Sequence, residues 1–257
     1  MFVYRRYSRD DFETVRRLSA LGQSSREIAR TTGFPQSTVR NWLRREAAPR
    51  SPRPLPTEFA PVSSSAYSYL LGQYLGDGYL SNTGGPSSWR LVVSCDSGYP
   101  GIIGEVGDAI GGCDPSSHVC HNAVRGANLI VVLASSPLWP LAFPQHGPGR
   151  KHLRPIVLEP WQLEITHRHP QSLLRGLIHS DGCRSINRFR TKLPSGRLAE
   201  YEYPRYFFSN LSADIRRIFC DHCDLLGVRW TQSNPRNISV AHRRSVAILD
   251  GFVGPKS

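Results

Sequence analysis

Two aspartates, Asp77 and Asp181, each close an apolar run and precede a glycine: "YLLGQYLGDGYL" over 69–80 and "SLLRGLIHSDGCR" over 172–184. In each run two small residues stand four apart, Gly72 and Gly76 in the first, Gly176 and Ser180 in the second. That spacing puts them on one face of a helix, where two backbones can approach closely. Glycine inside a helix costs roughly 1 kcal/mol relative to alanine, so its recurrence points to a close contact that offsets the loss. The natural partner for each helix is the other one. Laid side by side, the two helices bring Asp77 and Asp181 together at their C-terminal, negative ends. Carboxylates so placed repel each other unless a divalent cation compensates. Oxygen-only ligands of this kind suit Mg²⁺, with water and phosphate oxygens completing the shell.

The elements that must position these residues repeat along the chain. After each run comes an extended stretch ("WRLVVSCDS", then "YPRYFFSNLS"), a helix ("GIIGEVGDAIGG", then "DIRRIFCDHCDLLGV"), another extended stretch ("NLIVVLAS", then "NISVAH") and a closing segment ("FPQHGPGRK", then "FVGPK"). Landmarks stay in step: Asp77 and Asp181 are 104 apart, Asn128 and Asn237 109, Phe143 and Phe252 109, Lys151 and Lys256 105. The pattern predicts an α+β fold made of a duplicated αββαββ unit, 63–168 and 169–257, related by a pseudo-two-fold within a monomer.

The N-terminal segment is organised differently. Phe12, Val15, Leu18 and Leu21 have helical spacing; "SSREIARTTGF" offers a serine cap, Glu27, the Ile28-Ala29 pair and a stop at Gly33; Val39, Trp42 and Leu43 share a face. Three short helices over 1–48 resemble a helix-turn-helix domain of the resolvase or transposase kind. On that resemblance the third helix enters the major groove and Gln36, Ser37, Thr38, Arg40, Asn41 and Arg44 face DNA. Residues 1–57 hold twelve arginines against five acids, over half the net charge of +12. The proline-rich stretch 49–62 reads as a stiff linker, in which Arg50 and Arg53 could follow a phosphate backbone.

A charge of +12 calls for a polyanionic partner, most simply double-stranded DNA. No stretch reaches the roughly 18 apolar residues of a membrane span, and the charged start lacks a signal peptide, so the expectation is a soluble, cytoplasmic, nucleoid-associated protein. Six scattered cysteines read as reduced thiols. "CDHC" at 220–223 lies in an amphipathic helix with Ile215, Phe219 and Cys223 on its core face and has no second Cys-x-x-Cys, which argues against zinc. His179 reads as a helix-surface or groove residue.

The two Asp-Gly helices within this duplicated order resemble those of a single-chain LAGLIDADG homing endonuclease over residues 63–257, although Gln73, Tyr74 and His179 depart from the family's letters. The resemblance implies two antiparallel sheets saddling the major groove, metal ligation by Asp77 and Asp181, and Mg²⁺-dependent hydrolysis of DNA phosphodiesters. It also implies a basic residue near the end of each half. Only three lysines occur in the chain, Lys151, Lys192 and Lys256. Lys151 follows Asp77 by 74 residues and Lys256 follows Asp181 by 75, both behind Gly-Pro. They take that catalytic role, while Ser94, Asp96, Ser209 and Asn210 at strand ends order water. The sheet residues expected to contact DNA are Arg90, Arg188, Arg190, Lys192 and Arg205. The alternative is a DNA-binding transcriptional regulator that uses the same fold without cutting.

Overall fold

The structure is a computed structural model that describes residues 7–45, 55–85, 87–254 and 256. It divides into two compact units, Met1–Leu55 and Pro56–Ser257. The expected linker falls partly outside the described residues, since 46–54 are not among them.

The first unit contains α1 (Arg9–Ala20), α2 (Ser25–Thr32) and α3 (Gln36–Leu43). Local chemistry sets their ends. Ser8 with Asp11 and Ser24 with Glu27 form capping boxes, and Gly33 closes α2 in the left-handed region at φ 70°, a conformation that favours glycine. Phe12, Val15, Ile28, Phe34, Val39 and Trp42 make the core, with Tyr7 edge-on to the Trp42 ring at 5.0 Å. Leu21, expected on the apolar face, is 73% exposed, because α1 ends one residue earlier and the chain turns away at that point.

The second unit runs α4 (Ser64–Asp77), β1 (Gly78–Asn82), β2 (Trp89–Asp96), α5 (Pro100–Cys113), β3 (Val119–Ala123), β4 (Leu129–Ser135) and α6 (Trp139–Ala142). It continues through α7 (Pro160–Arg168), α8 (Pro170–Asp181), β5 (Gly182–Lys192), β6 (Leu198–Ser209), α9 (Ala213–Leu225), β7 (Thr231–Asn234), β8 (Asn237–Val240) and α10 (Arg243–Asp250). Two antiparallel sheets share one strand order, β1-β2-β4-β3 and β5-β6-β8-β7. The registers match as well: Gly78 faces Val93 and Gly182 faces Phe208, each glycine directly following its aspartate. The duplication expected from the landmarks is therefore present in the fold.

Each half has one helix more than the αββαββ reading, since α6 and α10 follow the last strands and lead into Phe143 and Phe252. A further helix, α7, connects the halves. Its Gln162 and Thr166 are fully buried beside Ile165, so its inward face mixes polar and apolar residues. Gln162 earns its place by donating to Tyr67 Oη at 2.7 Å while accepting from Gln145 Nε2 at 2.5 Å.

α4 is buried on all sides from Tyr67 to Leu75. The leucines of α4 and α8, Leu70, Leu71, Leu75, Leu173, Leu174 and Leu177, are completely enclosed, each contributing about 2 kcal/mol through burial. The helix pair is thus the spine of the unit, and both sheets hang from its C-terminal ends.

Candidate functional site

The small residues permit an approach that other side chains would block. A Cβ on Gly72 would stand 2.6 Å from the Leu173 carbonyl oxygen and 2.7 Å from the Leu177 nitrogen. A Cβ on Gly176 would strike the Tyr69 carbonyl, and one on Gly76 would run into Ser180. Both helices therefore touch backbone to backbone along their length. At the foot, a Cβ on Gly76 would lie 3.1 Å from Asp181 Oδ2, so the Asp181 carboxylate reaches across to the residue just before Asp77.

Crowding the two carboxylates has an electrostatic consequence. Burial, and then the Asp77 charge, push the Asp181 carboxyl up to about 6, against the opposing effect of a hydrogen bond from Asn210 Nδ2 at 2.6 Å. Burial also raises Asp77, opposed by the charges of Lys151 and Lys256. Asp77 nevertheless remains open to solvent at the floor of a cleft.

The lysines occupy the positions that helix chemistry leaves open. The last carbonyls of a helix have no partner within it and carry its negative partial charge. Lys151 Nζ donates to the Tyr74, Leu75 and Gly76 carbonyls of α4, the latter two at 3.0 Å. Lys256 Nζ donates to the His179 carbonyl of α8 at 2.8 Å. With three protons and three carbonyls, the Lys151 ammonium acts on its surroundings through its charge. Burial lowers Lys151 to about 8, opposed by Asp181 and Asp77, and burial lowers Lys256 in the same direction.

A polar network holds the tail that carries Lys256. Arg175 on α8 pairs with Glu105 on α5 and donates to the Phe252 carbonyl at 2.5 Å and to the Val253 carbonyl. His179, expected at the surface, is buried: Nδ1 lies 3.1 Å from Tyr69 Oη and Nε2 lies 3.0 Å from the Val253 oxygen. It faces the neighbouring helix and tail because α8 is enclosed where its last turn meets α4. The sequence gives no signal for this network, since each of these bonds joins residues 70 or more apart.

Two cavities open beside the aspartates. The larger, about 600 Å³, is lined by Asp77, Asp181, Lys151, Arg154, Asn210 and Arg236 among others. The smaller, about 180 Å³, is lined by Asp77, Ser94, Asp96, Tyr99, Ser180 and Lys256 among others. Arg154 and Arg236 are cleft residues that the sequence reading missed. Arg154 could have been found in the basic run "GRKHLR" around Lys151, whereas Arg236 sits in a turn that the sequence does not distinguish.

Register decides which of the expected DNA contacts share this face. In β2, Leu91, Val93 and Cys95 enter the core, leaving Arg90 and Ser94 on the cleft side. In β6, Tyr206 and Phe208 enter the core, so Arg205, Phe207 and Ser209 lie on the cleft side. Arg205 stands 4.4 Å over the Phe207 ring and bonds Ser239 Oγ. Arg188, Arg190 and Lys192 pair with Glu202, Glu200 and Leu198, on the Tyr206 side. That corrects their expected placement: strand alternation turns these three away from the cleft, and cross-strand glutamates bond both arginines. On the cleft side of this ribbon stand Phe189 and Tyr201, stacked at 5.2 Å, with Tyr203 edge-on.

In the first unit, Ser37, Arg40, Asn41 and Arg44 form an exposed face of α3, while Gln36 and Thr38 are half-buried and Gln36 Nε2 donates to Ser25 Oγ at 3.4 Å.

No family model and no curated protein matches this sequence. Among solved structures the chain is similar to I-DmoI in complex with DNA and Mn, at 16% identity over 75% of this chain and 98% of that one, TM-score 0.44. It is also similar to the LAGLIDADG homing endonuclease I-SmaMI bound to cleaved DNA, at 10% identity over 77% and 85%, TM-score 0.45. A third similarity is to full-length DUF199/WhiA from Thermatoga maritima, at 13% identity and TM-score 0.46; it takes in 78% of this chain and 58% of that protein.

Proposed function

We propose that residues 63–257 form a site-specific, metal-dependent endonuclease for double-stranded DNA, acting as a monomer with an internal pseudo-two-fold. The observation that carries this reading is the meeting of Asp77 and Asp181, one from each half, at the foot of a helix pair whose terminal carbonyls are bonded by Lys151 and Lys256. The donor set fits Mg²⁺: two hard carboxylates lie close together, and the Asp77 charge raises the cost of charging Asp181, which a divalent ion would relieve. Among the described residues no third His, Cys, Asp or Glu joins them, so Asp77 and Asp181 would hold the ion and water and phosphate oxygens would complete its shell. When bound, the ion supplies an activated water and neutralises charge on the scissile phosphate.

The chain's own residues do the rest. Asn210 fixes the orientation of Asp181 through its amide, and Lys151 and Lys256 keep positive charge beside the place where phosphate charge develops. Ser94 and Ser209 occupy matching register positions at the strand ends and orient water. Arg90 and Arg205 contact DNA from the cleft faces. The three helices over 1–48 add a second contact through Ser37, Arg40, Asn41 and Arg44 in a major groove, tethered by 49–62.

A second reading, a regulator that binds DNA without cutting, is favoured by that same helical unit, which a nuclease does not require. Incubating the parent and the Asp77→Asn, Asp181→Asn double variant with a randomised duplex library in Mg²⁺ tests both. Cleavage by the parent alone supports the endonuclease; tight binding by both without cleavage replaces it with the regulator.

A further inference from the structure

The two cavities at the foot of the helix pair are built crosswise, and they are unequal. Lys151 from the first half meets the strand end of the second, Ser209 and Asn210. Lys256 from the second half meets Asp96 at the strand end of the first, while Ser94 lines both cavities. Duplication alone would make these sites alike, but three features separate them.

Volume is the first, about 600 Å³ against about 180 Å³. Charge is the second. Arg150, Arg154 and Arg236 join the lysine in the larger cavity, whereas the smaller adds a further acid, Asp96, whose carboxylate is held by the backbone N–H of Gly98 at 2.8 Å. The third is the support given to each metal-binding carboxylate. Asn210 bonds Asp181, but the residue at the matching register position, one beyond Ser94, is Cys95, whose side chain is buried in the core. Asp77 faces both cavities and Asp181 lines only the larger.

We propose, resting on the endonuclease reading, that the two DNA strands are cut in a fixed order: first the strand whose phosphate enters the larger cavity beside Lys151, then the strand beside Lys256, with a nicked duplex as the intermediate. A phosphodiester is an anion. One cavity offers it an ammonium and three guanidinium groups to set against two carboxylates; the other offers a single ammonium against two. The first site receives its phosphate readily, and the second becomes competent once the nicked duplex can deform to reach it.

The test uses the full chain and a duplex selected for binding, with a different fluorophore on each strand, in Mg²⁺. The expected result is that one and the same strand is nicked roughly tenfold faster than the other, so that nicked duplex accumulates. Asp96→Asn, which keeps the turn to Gly98 but removes the charge, should speed the second cut several-fold and leave the first unchanged. Lys256→Met should slow the second cut far more than the first, with retained binding of the selected duplex reporting that the variant folds. Equal rates for both strands, random order, or a first nick slowed as much as the second in Lys256→Met would overturn the fixed order while leaving the nuclease reading intact. Binding with neither strand cut by the parent overturns the nuclease reading, and the order with it.

Discussion

In the first half of the second unit, the strands that follow the aspartate helix are five and eight residues long; in the second they are eleven and twelve. β6 pairs with β8 only from Tyr206 to Ser209, so the rest of the β5–β6 ribbon stands as two strands with an aromatic cleft face and an ion-paired opposite face. Yet the two helices, their small-residue contacts, the aspartates and the lysines correspond closely. The difference separates two kinds of constraint. The small residues that let the two helices touch are kept in both halves, whereas the strands that follow them differ in length.

The largest effect should come from the shared spine. Gly176→Ala drives a Cβ into the Tyr69 carbonyl, and we expect a loss of about 3 kcal/mol in chemical denaturation. Gly104→Ala on α5, where a Cβ meets nothing within 4 Å, should instead stabilise by about 0.5 kcal/mol. Equal effects would remove the spine from the comparison.

The lysines sharpen it. Lys151→Met strands three carbonyls and should cost about 2 kcal/mol, while Lys256→Met, which strands one, should cost about 1 kcal/mol. Denaturation midpoints of the two variants measure the ratio.

The carboxylates give a pH signature. The Asp181 proton is held more tightly in the folded chain, at about 6 against an ordinary 3.8. The resulting stabilisation is fully present below pH 3.8 and is lost as the pH rises through about 6. Thermal melts in EDTA should therefore show Tm falling across that window. Asp181→Asn should flatten the profile and melt higher at pH 8, and Mg²⁺ should raise the Tm of the parent there but not of the variant.

The smallest difference concerns the faces of the long ribbon. Arg205→Ala should weaken binding of a selected duplex about tenfold, while Arg188→Ala, on the far face and paired to Glu202, should change it less than about twofold. Comparable losses would put both faces against DNA.

Much of this was legible in the residues. The four-residue spacing of small side chains, the aspartate at each helix end, and lysines at matched distances survive in sequence because the chemistry fixes residue types at fixed intervals. The serine cap of α2 and its stop at Gly33 were legible for the same reason. Which face Arg188, Arg190 and Lys192 take was not, because a shift of one residue in register inverts every side chain, and the register is set by the Gly182–Phe208 pair. α7 escaped because its buried face mixes Gln162 and Thr166 with Ile165, which blurs the apolar period, and His179 because its partners Tyr69, Glu105 and Val253 come from three distant segments.

The most direct measurement is a calorimetric titration of Mn²⁺ into the full chain bound to a selected duplex, repeated for Asp77→Asn and for Asp181→Asn. A cation held jointly by the two halves predicts that either substitution alone weakens the same binding event at least about tenfold. Mn²⁺ binding that is unchanged by either substitution would contradict it.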